Sequence, residues 1–209
     1  MSQARYPIPA TRCRREIEIK RSRFITTIEP AADATRAQAF IARIKAEFPD
    51  ASHNCWAYLC GPPGSSDRIG LSDDGEPHGT AGKPLLTTLQ HSGLGDIALV
   101  VTRYFGGTKL GKGGLVKAYT DAAQTALEEL PRGEKIAWHL LWLDFSYALL
   151  TPLELQLKNY EARVVDRQFT EQVSLQIKLP KEQIAPLTTA LNELSSGQIR
   201  VRGSETDQQ

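Results

Sequence analysis

Net charge is almost absent from this sequence: 25 Lys and Arg stand against 24 Asp and Glu over 209 residues, a formal +1. No global field draws the chain toward nucleic acid or a membrane surface, so any such attraction has to come from a local patch. Cysteine is scarce. Cys13, Cys55 and Cys60 are odd in number and fit no disulfide framework, which excludes a stapled secreted scaffold and suits a reducing compartment. No run approaches the roughly 20 apolar residues of a membrane span. The opening MSQARYPIPATRCRRE is basic but has no apolar stretch of the kind a secretory signal needs. Internal repeats and low-complexity tracts are lacking too. A cytoplasmic protein with no membrane partner is expected.

What is present is an ordinary globular mixture, 41% hydrophobic and 23% charged, long enough for one large domain or two small ones. Residues 1–11 carry two prolines and no periodicity and read as loose, as do the last seven residues. Alternation from Arg14 to Glu29 predicts two strands around Lys20-Arg21. Asp33 is placed to cap a helix whose apolar residues are Ala37, Phe40, Ile41, Ile44 and Phe48. HNCWAYLC (53–60), Arg68–Ser72 and DIALVVTRYF (96–105) read as strands, and Lys83–His91 as a helix. A long helix with Leu115, Tyr119, Ala122, Ala126 and Leu130 on one face stops at Pro131. The pattern restarts beyond it, which divides the chain into domains at 14–131 and 136–203. In the second, Thr151-Pro152-Leu153-Glu154 has the form of a capping box. The predicted order there is β-α-β-β-α-β, the ferredoxin-like signature, so the fold class is α+β.

Three segments can carry chemistry. Gly106-x4-Gly111-Lys112 follows an apolar strand and opens a helix, the setting of a phosphate loop. Gly113 stands where such a loop needs Ser or Thr for Mg²⁺, and the acidic candidate Asp144 falls in the other domain. What survives is an anion site made of backbone N–H groups near Gly111, Gly113 and Gly114 beside Lys109 and Lys112. A solvated glycine-rich turn is the plainer alternative. Arg103, Lys109, Lys112 and Lys117 lie within 103–117 with no acid among them. The second segment holds Asp73, Asp74, Glu76 and His78, enough oxygen and nitrogen for a hard cation or an acid–base pair. Asp-Gly and Glu-Pro are also ordinary turn chemistry, and the spacing fits no calcium loop. The third is His53, Cys55 and Cys60. On a strand, positions 53 and 55 share a face and 60 does not, so structural zinc is not expected, and a cysteine in an apolar strand is usually buried and inert. Near the N-terminus Arg12, Arg14, Arg15, Lys20, Arg21 and Arg23 outnumber Glu16 and Glu18, either as a solvated edge strand or as further phosphate contacts.

KRSRFI (20–25), SDDGEPHGTAGKP (72–84) and VVTRYFGGTKLGKGGLVKAY (100–119) together resemble the motifs of the YigZ/IMPACT family. The resemblance spans about 14–131, and the remainder is similar to the smaller C-terminal domain of bacterial members. It implies an N-terminal β-α-β layer like the second domain of a small-subunit ribosomal protein, also found in elongation factor G, followed by a ferredoxin-like domain. Eukaryotic members, implicated in restraining a starvation-responsive kinase, carry an extra N-terminal interaction domain. A first strand near residue 14 leaves no room for one here.

The resemblance supplies no catalytic residues and implies a translation-associated binding protein, a possible regulator of translation, whose partner is structured RNA, the ribosome or a translation factor, with no DNA specificity. The residues expected to meet phosphates are Arg103, Lys109, Gly111, Lys112, Gly113, Gly114 and Lys117, helped by Lys20, Arg21, Arg23 and Lys83. No cofactor is expected and no metal; Asp73, Asp74 and Glu76 come nearest to a ligand set. Two alternatives stay open. One is an enzyme acting on a phosphate-bearing small molecule where the 73–78 and 106–114 loops meet; the other is a protein-interaction module without RNA contact.

Overall fold

The computed structural model describes residues 4–65 and 68–203. The chain divides into two compact units, 1–135 and 136–209. The first holds strands β1 (Arg5–Pro9), β2 (Cys13–Ile19), β3 (Ser22–Pro30), β4 (His53–Leu59), β5 (Ile69–Ser72), β6 (Ile97–Tyr104) and β7 (Arg132–Ile136). Its helices are α1 (Ala34–Glu47), α2 (Gly82–His91) and α3 (Gly111–Glu128). The second unit runs β8 (Trp138–Phe145), α4 (Leu150–Leu157), β9 (Arg163–Phe169), β10 (Val173–Pro180), α5 (Ile184–Ser195) and β11 (Arg200–Gly203). Among the described residues no helix is long and apolar enough to cross a membrane.

In the first unit five strands form a sheet in the order β2-β3-β6-β4-β5, every neighbour antiparallel. Strand β6 is central and buried almost throughout, which is why its sequence reads as an unbroken apolar run rather than an alternation. Alternate side chains still part. Ile97, Leu99 and Val101 join Leu85, Leu89, Leu115 and Tyr119 in the core under α2 and α3. Ala98 and Val100 join Phe40, Ile41 and Ile44 under α1 on the other face. Ala118, Ala122 and Ala126 are buried along α3, small enough to bring that helix close to the sheet. The Asp33 side chain caps α1 by accepting from Arg36 N–H at 2.8 Å.

The segment at residues 5–9, expected to be loose, is ordered. Residues 5–9 pair with β7 as a separate two-stranded sheet. Tyr6 is buried, and its hydroxyl donates to Asp96 at 3.0 Å. The same carboxylate accepts from Lys135 Nζ at 2.5 Å and Gly61 N–H at 2.7 Å. The Tyr6–Asp96 contact bridges ninety residues and the other two more than thirty, and a window of local periodicity has no access to them.

The second unit is ferredoxin-like: its antiparallel sheet runs β11-β8-β10-β9. Leu141, Leu143, Phe145, Val173, Leu175, Ile177 and Leu179 pack against Leu153, Leu157, Leu187 and Leu191 of the two helices. One local expectation is corrected. Thr151 does not cap α4; the helix is entered through a 3-10 turn at Tyr147–Leu149, so Thr151 already lies inside it. Glu154, expected to close the capping box, pairs instead with Arg167 at 2.9 Å.

Candidate anion-binding site

The sheet brings the two loops singled out in the sequence together. Glu76 and Pro77 from one, and Phe105, Lys109, Leu110, Gly111 and Lys112 from the other, line a cavity of about 350 Å³ with Arg103 and Leu115. The glycine loop owes its shape to close backbone packing. A Cβ on Gly106 would fall on the carbonyl group of Arg21, so only glycine lets the loop leave β6 against the β2–β3 turn. Gly107 and Gly111 take φ of 84° and 72°, a region where glycine bears no steric cost. Helix α3 then starts with no side-chain cap and no acid in its first turn, leaving first-turn N–H groups and the positive end of the helix dipole without a side-chain partner.

Arg103, expected to meet phosphates, is part of the cavity wall. It continues the inward series Ile97, Leu99 and Val101 and is only 5% exposed. Its Nη1 lies 2.6 Å from Glu76 Oε1, and Nη2 reaches Ser22 Oγ at 3.4 Å. The guanidinium stands 5.4 Å from the Phe24 ring and 5.6 Å from the half-exposed Phe105 ring. Its buried Nε has no hydrogen-bond partner among the described residues, an exception to the usual satisfaction of buried donors.

Behind this wall lies a polar network. Tyr119 donates to Glu76 Oε1 at 2.8 Å, and its phenol is pushed strongly up by burial and by Cys55 and Glu76 nearby. Cys55 Sγ lies 2.9 Å from the Asp73 carbonyl oxygen and 3.3 Å from the Tyr119 hydroxyl. Burial pushes its thiol up to about 12, so it is no nucleophile. His53 Nδ1 sits 2.9 Å from the Asp74 carbonyl oxygen, and its Nε2 is 3.9 Å from Glu76 Oε2.

The acidic residues do not converge on a common point. Asp73 accepts from the N–H groups of Gly79, Ala81 and Gly82 at 2.8–3.0 Å. Burial alone would raise its carboxyl, but those three donors win and hold it below the ordinary range. Asp74 accepts from Asn54 N–H and pairs with Lys45. Among the described residues no three His, Cys, Asp or Glu side chains are grouped as metal ligands. Their partners make this loop a folded strut against β4.

The remaining expected cations separate. Lys109 and Lys112 are exposed at the cavity rim, and Gly113 and Gly114 occupy the first turn of α3. Lys117 pairs with Asp121 at 3.0 Å. Arg23 forms a two-point pair with Glu16 and stacks on Tyr104. Lys83 stands apart, on a groove between α2 and α3. Arg21, grouped in the sequence with the N-terminal cations, donates from Nη2 to Thr108 Oγ1 at 3.2 Å and thereby joins the rim. The β3–β6 register, which sets Arg23 opposite Tyr104, is what places that turn beside the loop.

Residues 20–127 match the Impact N-terminal domain, and 143–198 match a domain of unknown function, DUF1949. The chain belongs to the IMPACT family. An IMPACT family member of Haemophilus influenzae is 40% identical over 199 residues, covering 95% of this chain and 97% of that one. IMPACT family member YigZ of Escherichia coli is 40% identical over 188 residues, covering 90% and 92%. A solved structure described as a hypothetical protein is 38% identical, covers 97% of this chain and 98% of its own, and superposes with a TM-score of 0.66. The IMPACT match in the first unit contains both loops of the cavity and the Lys20-Arg21 turn.

Proposed function

We propose that this IMPACT protein is a translation-associated binding protein that docks structured RNA or the ribosome on the rim of the glycine-loop cavity. The observation that carries the reading is the distribution of ion pairs. Arg12 and Arg14 are neutralised by Glu47, Arg15 by Glu129, Arg23 by Glu16 and Arg43 by Glu29. Arg21, Lys109 and Lys112, gathered around one loop, have no carboxylate partner among the described residues, nor does Lys20 beside them. Lys20 and Arg21 moreover sit at φ of 47° and 66°, where side-chain-bearing residues are disfavoured and Asn-Gly is the usual choice. Cations held at a conformational cost beside uncapped helix N–H groups and an exposed aromatic ring suit a nucleic-acid backbone.

The test is sedimentation with ribosomes and subunits at low and moderate salt, wild type beside Lys109→Ala/Lys112→Ala. Co-sedimentation at low salt that weakens with salt and disappears in the double variant is expected. Absence at low salt, or indifference to salt, overturns the reading. A second reading, a small phosphate-bearing ligand inside the cavity, is favoured by the unpartnered Arg103 Nε in its wall. A thermal-shift panel of phosphate, nucleotides and sugar phosphates separates the two, since a ligand at 100 times its Kd stabilises by about 2.7 kcal/mol.

A further inference from the structure

The face of the second unit's sheet that its helices leave uncovered carries two tryptophans on a central strand. Along β8, Leu141, Leu143 and Phe145 point into the helix-covered core, so Trp138, Leu140, Trp142 and Asp144 alternate to the opposite face. Both rings are part-exposed. Strand rise separates residues 138 and 142 by about 13 Å. The cross-strand register sets Lys178 opposite Arg163, and Arg202 opposite Trp142, on this same face.

Each ring is bordered by cations. Arg163 lies 5.1 Å and Lys178 5.7 Å from the Trp138 ring, and Arg202 lies 5.9 Å from the Trp142 ring. Arg200, opposite Asp144, adds a fourth positive charge. Against these stand Asp144 and Asp166, the carboxylates that the described register brings to this face. Asp144 is occupied by Arg202 at 2.6 Å and Ser174 at 2.7 Å. The face is therefore aromatic at its centre and net positive around it, in a chain whose overall charge is only +1.

We propose that this face binds single-stranded nucleic acid, with bases stacked on Trp138 and Trp142 or on the guanidinium planes beside them, and phosphates held by Arg163, Lys178 and Arg200. A four-stranded sheet with aromatics on a central strand presents two or three bases' worth of stacking surface, and Arg extends it. A protein partner would meet the same rings, but a border of four cations against two carboxylates, one of them held by Arg202, is complementary to a polyanion. Nothing in this surface belongs to the glycine-loop site, so it stands or falls separately.

The experiment uses the full chain and fluorescein-labelled decamers of uridine and of thymidine at low salt, read by anisotropy, with inorganic polyphosphate as a charged competitor lacking bases. Expected is binding that Trp138→Leu and Trp142→Leu each weaken roughly 5- to 150-fold. RNA tighter than DNA would identify the source as RNA; equal affinity would identify any single strand. Because either leucine variant can fail to fold, wild-type protein is also cross-linked to 4-thiouridine RNA, and adducts on residues 138–145 or 173–180 are expected. No binding, binding insensitive to both leucine variants, polyphosphate binding as tight as the decamers, or adducts confined to 106–114 would each overturn the proposal. The first result would hand the face to a protein partner.

Discussion

Replacing Arg103 by methionine tests the claim that its ion pair with Glu76 fastens the acidic loop to the central strand. Both side chains are nearly inaccessible, 6% and 3% exposed, at 2.6 Å. Methionine keeps much of the volume and some contact with Phe24 and Phe105, but leaves Glu76 with the Tyr119 hydroxyl as its remaining short-range donor. Breaking one side of a buried pair typically costs about 3–5 kcal/mol, whereas removing both charges is often close to neutral. The expected loss is thus about 3–5 kcal/mol for Arg103→Met, and Arg103→Met/Glu76→Gln should recover at least about half of it. Urea unfolding in a Trp138→Phe/Trp142→Phe background leaves Trp56 of the three tryptophans, so the fluorescence reports the first unit. A cost below about 1 kcal/mol, or a double variant no better than the single, would falsify the assignment of the pair as a structural clasp. It also follows that an Arg103 variant would test the proposed RNA binding poorly, since its effect on folding would be mixed with any effect on recognition. The exposed Lys109 and Lys112 are the cleaner probes.

Other outcomes follow from the same geometry. Gly106→Ala forces a methyl group onto the Arg21 carbonyl and should cost at least about 1–3 kcal/mol; an unchanged melting temperature would refute the close packing of turn and loop. Cys55, with its thiol held up near about 12 by burial, should resist iodoacetamide at pH 8 until the chain unfolds, and rapid native labelling seen by peptide mass would contradict its enclosure. Asp73, held below the ordinary carboxylate range, contributes stability that is present above its unfolded pKa, about 3.9, and is lost as pH falls through its lower folded value. Asp73→Asn should therefore be about 1–3 kcal/mol less stable than wild type at pH 7, with the gap closing under acid; a gap that is constant from pH 7 to pH 2 would argue against the three N–H contacts.

Local chemistry was legible where one element carried its own signal. The Asp33 cap, the Lys20-Arg21 turn and the β-α-β-β-α-β order all appear in the sequence and in the fold. What stayed hidden depended on distant partners. Strand β1 has no alternation because its stability comes from β7 and from Tyr6 on Asp96. The cation count from 103 to 117 weighted Arg103 equally with the lysines, although odd positions of β6 face the core and only Glu76, from another loop, makes a buried arginine tolerable there. Linear spacing likewise did not show that Arg21 would touch Thr108, since antiparallel register joins residues 87 apart. The two tryptophans of β8 were legible as a strand, but their cation border comes from three other strands.

The left-handed turn at Lys20-Arg21 has a consequence for engineering. A designer seeking thermostability would replace the pair with Asn-Gly, relieving two residues that each carry roughly 1–2 kcal/mol of steric cost. The melted fraction would fall, and so would the positive potential at the lip of the glycine loop. In this hairpin the most robust sequence and the best-equipped one are different sequences, and a screen that ranks variants by melting temperature alone would select steadily against the rim.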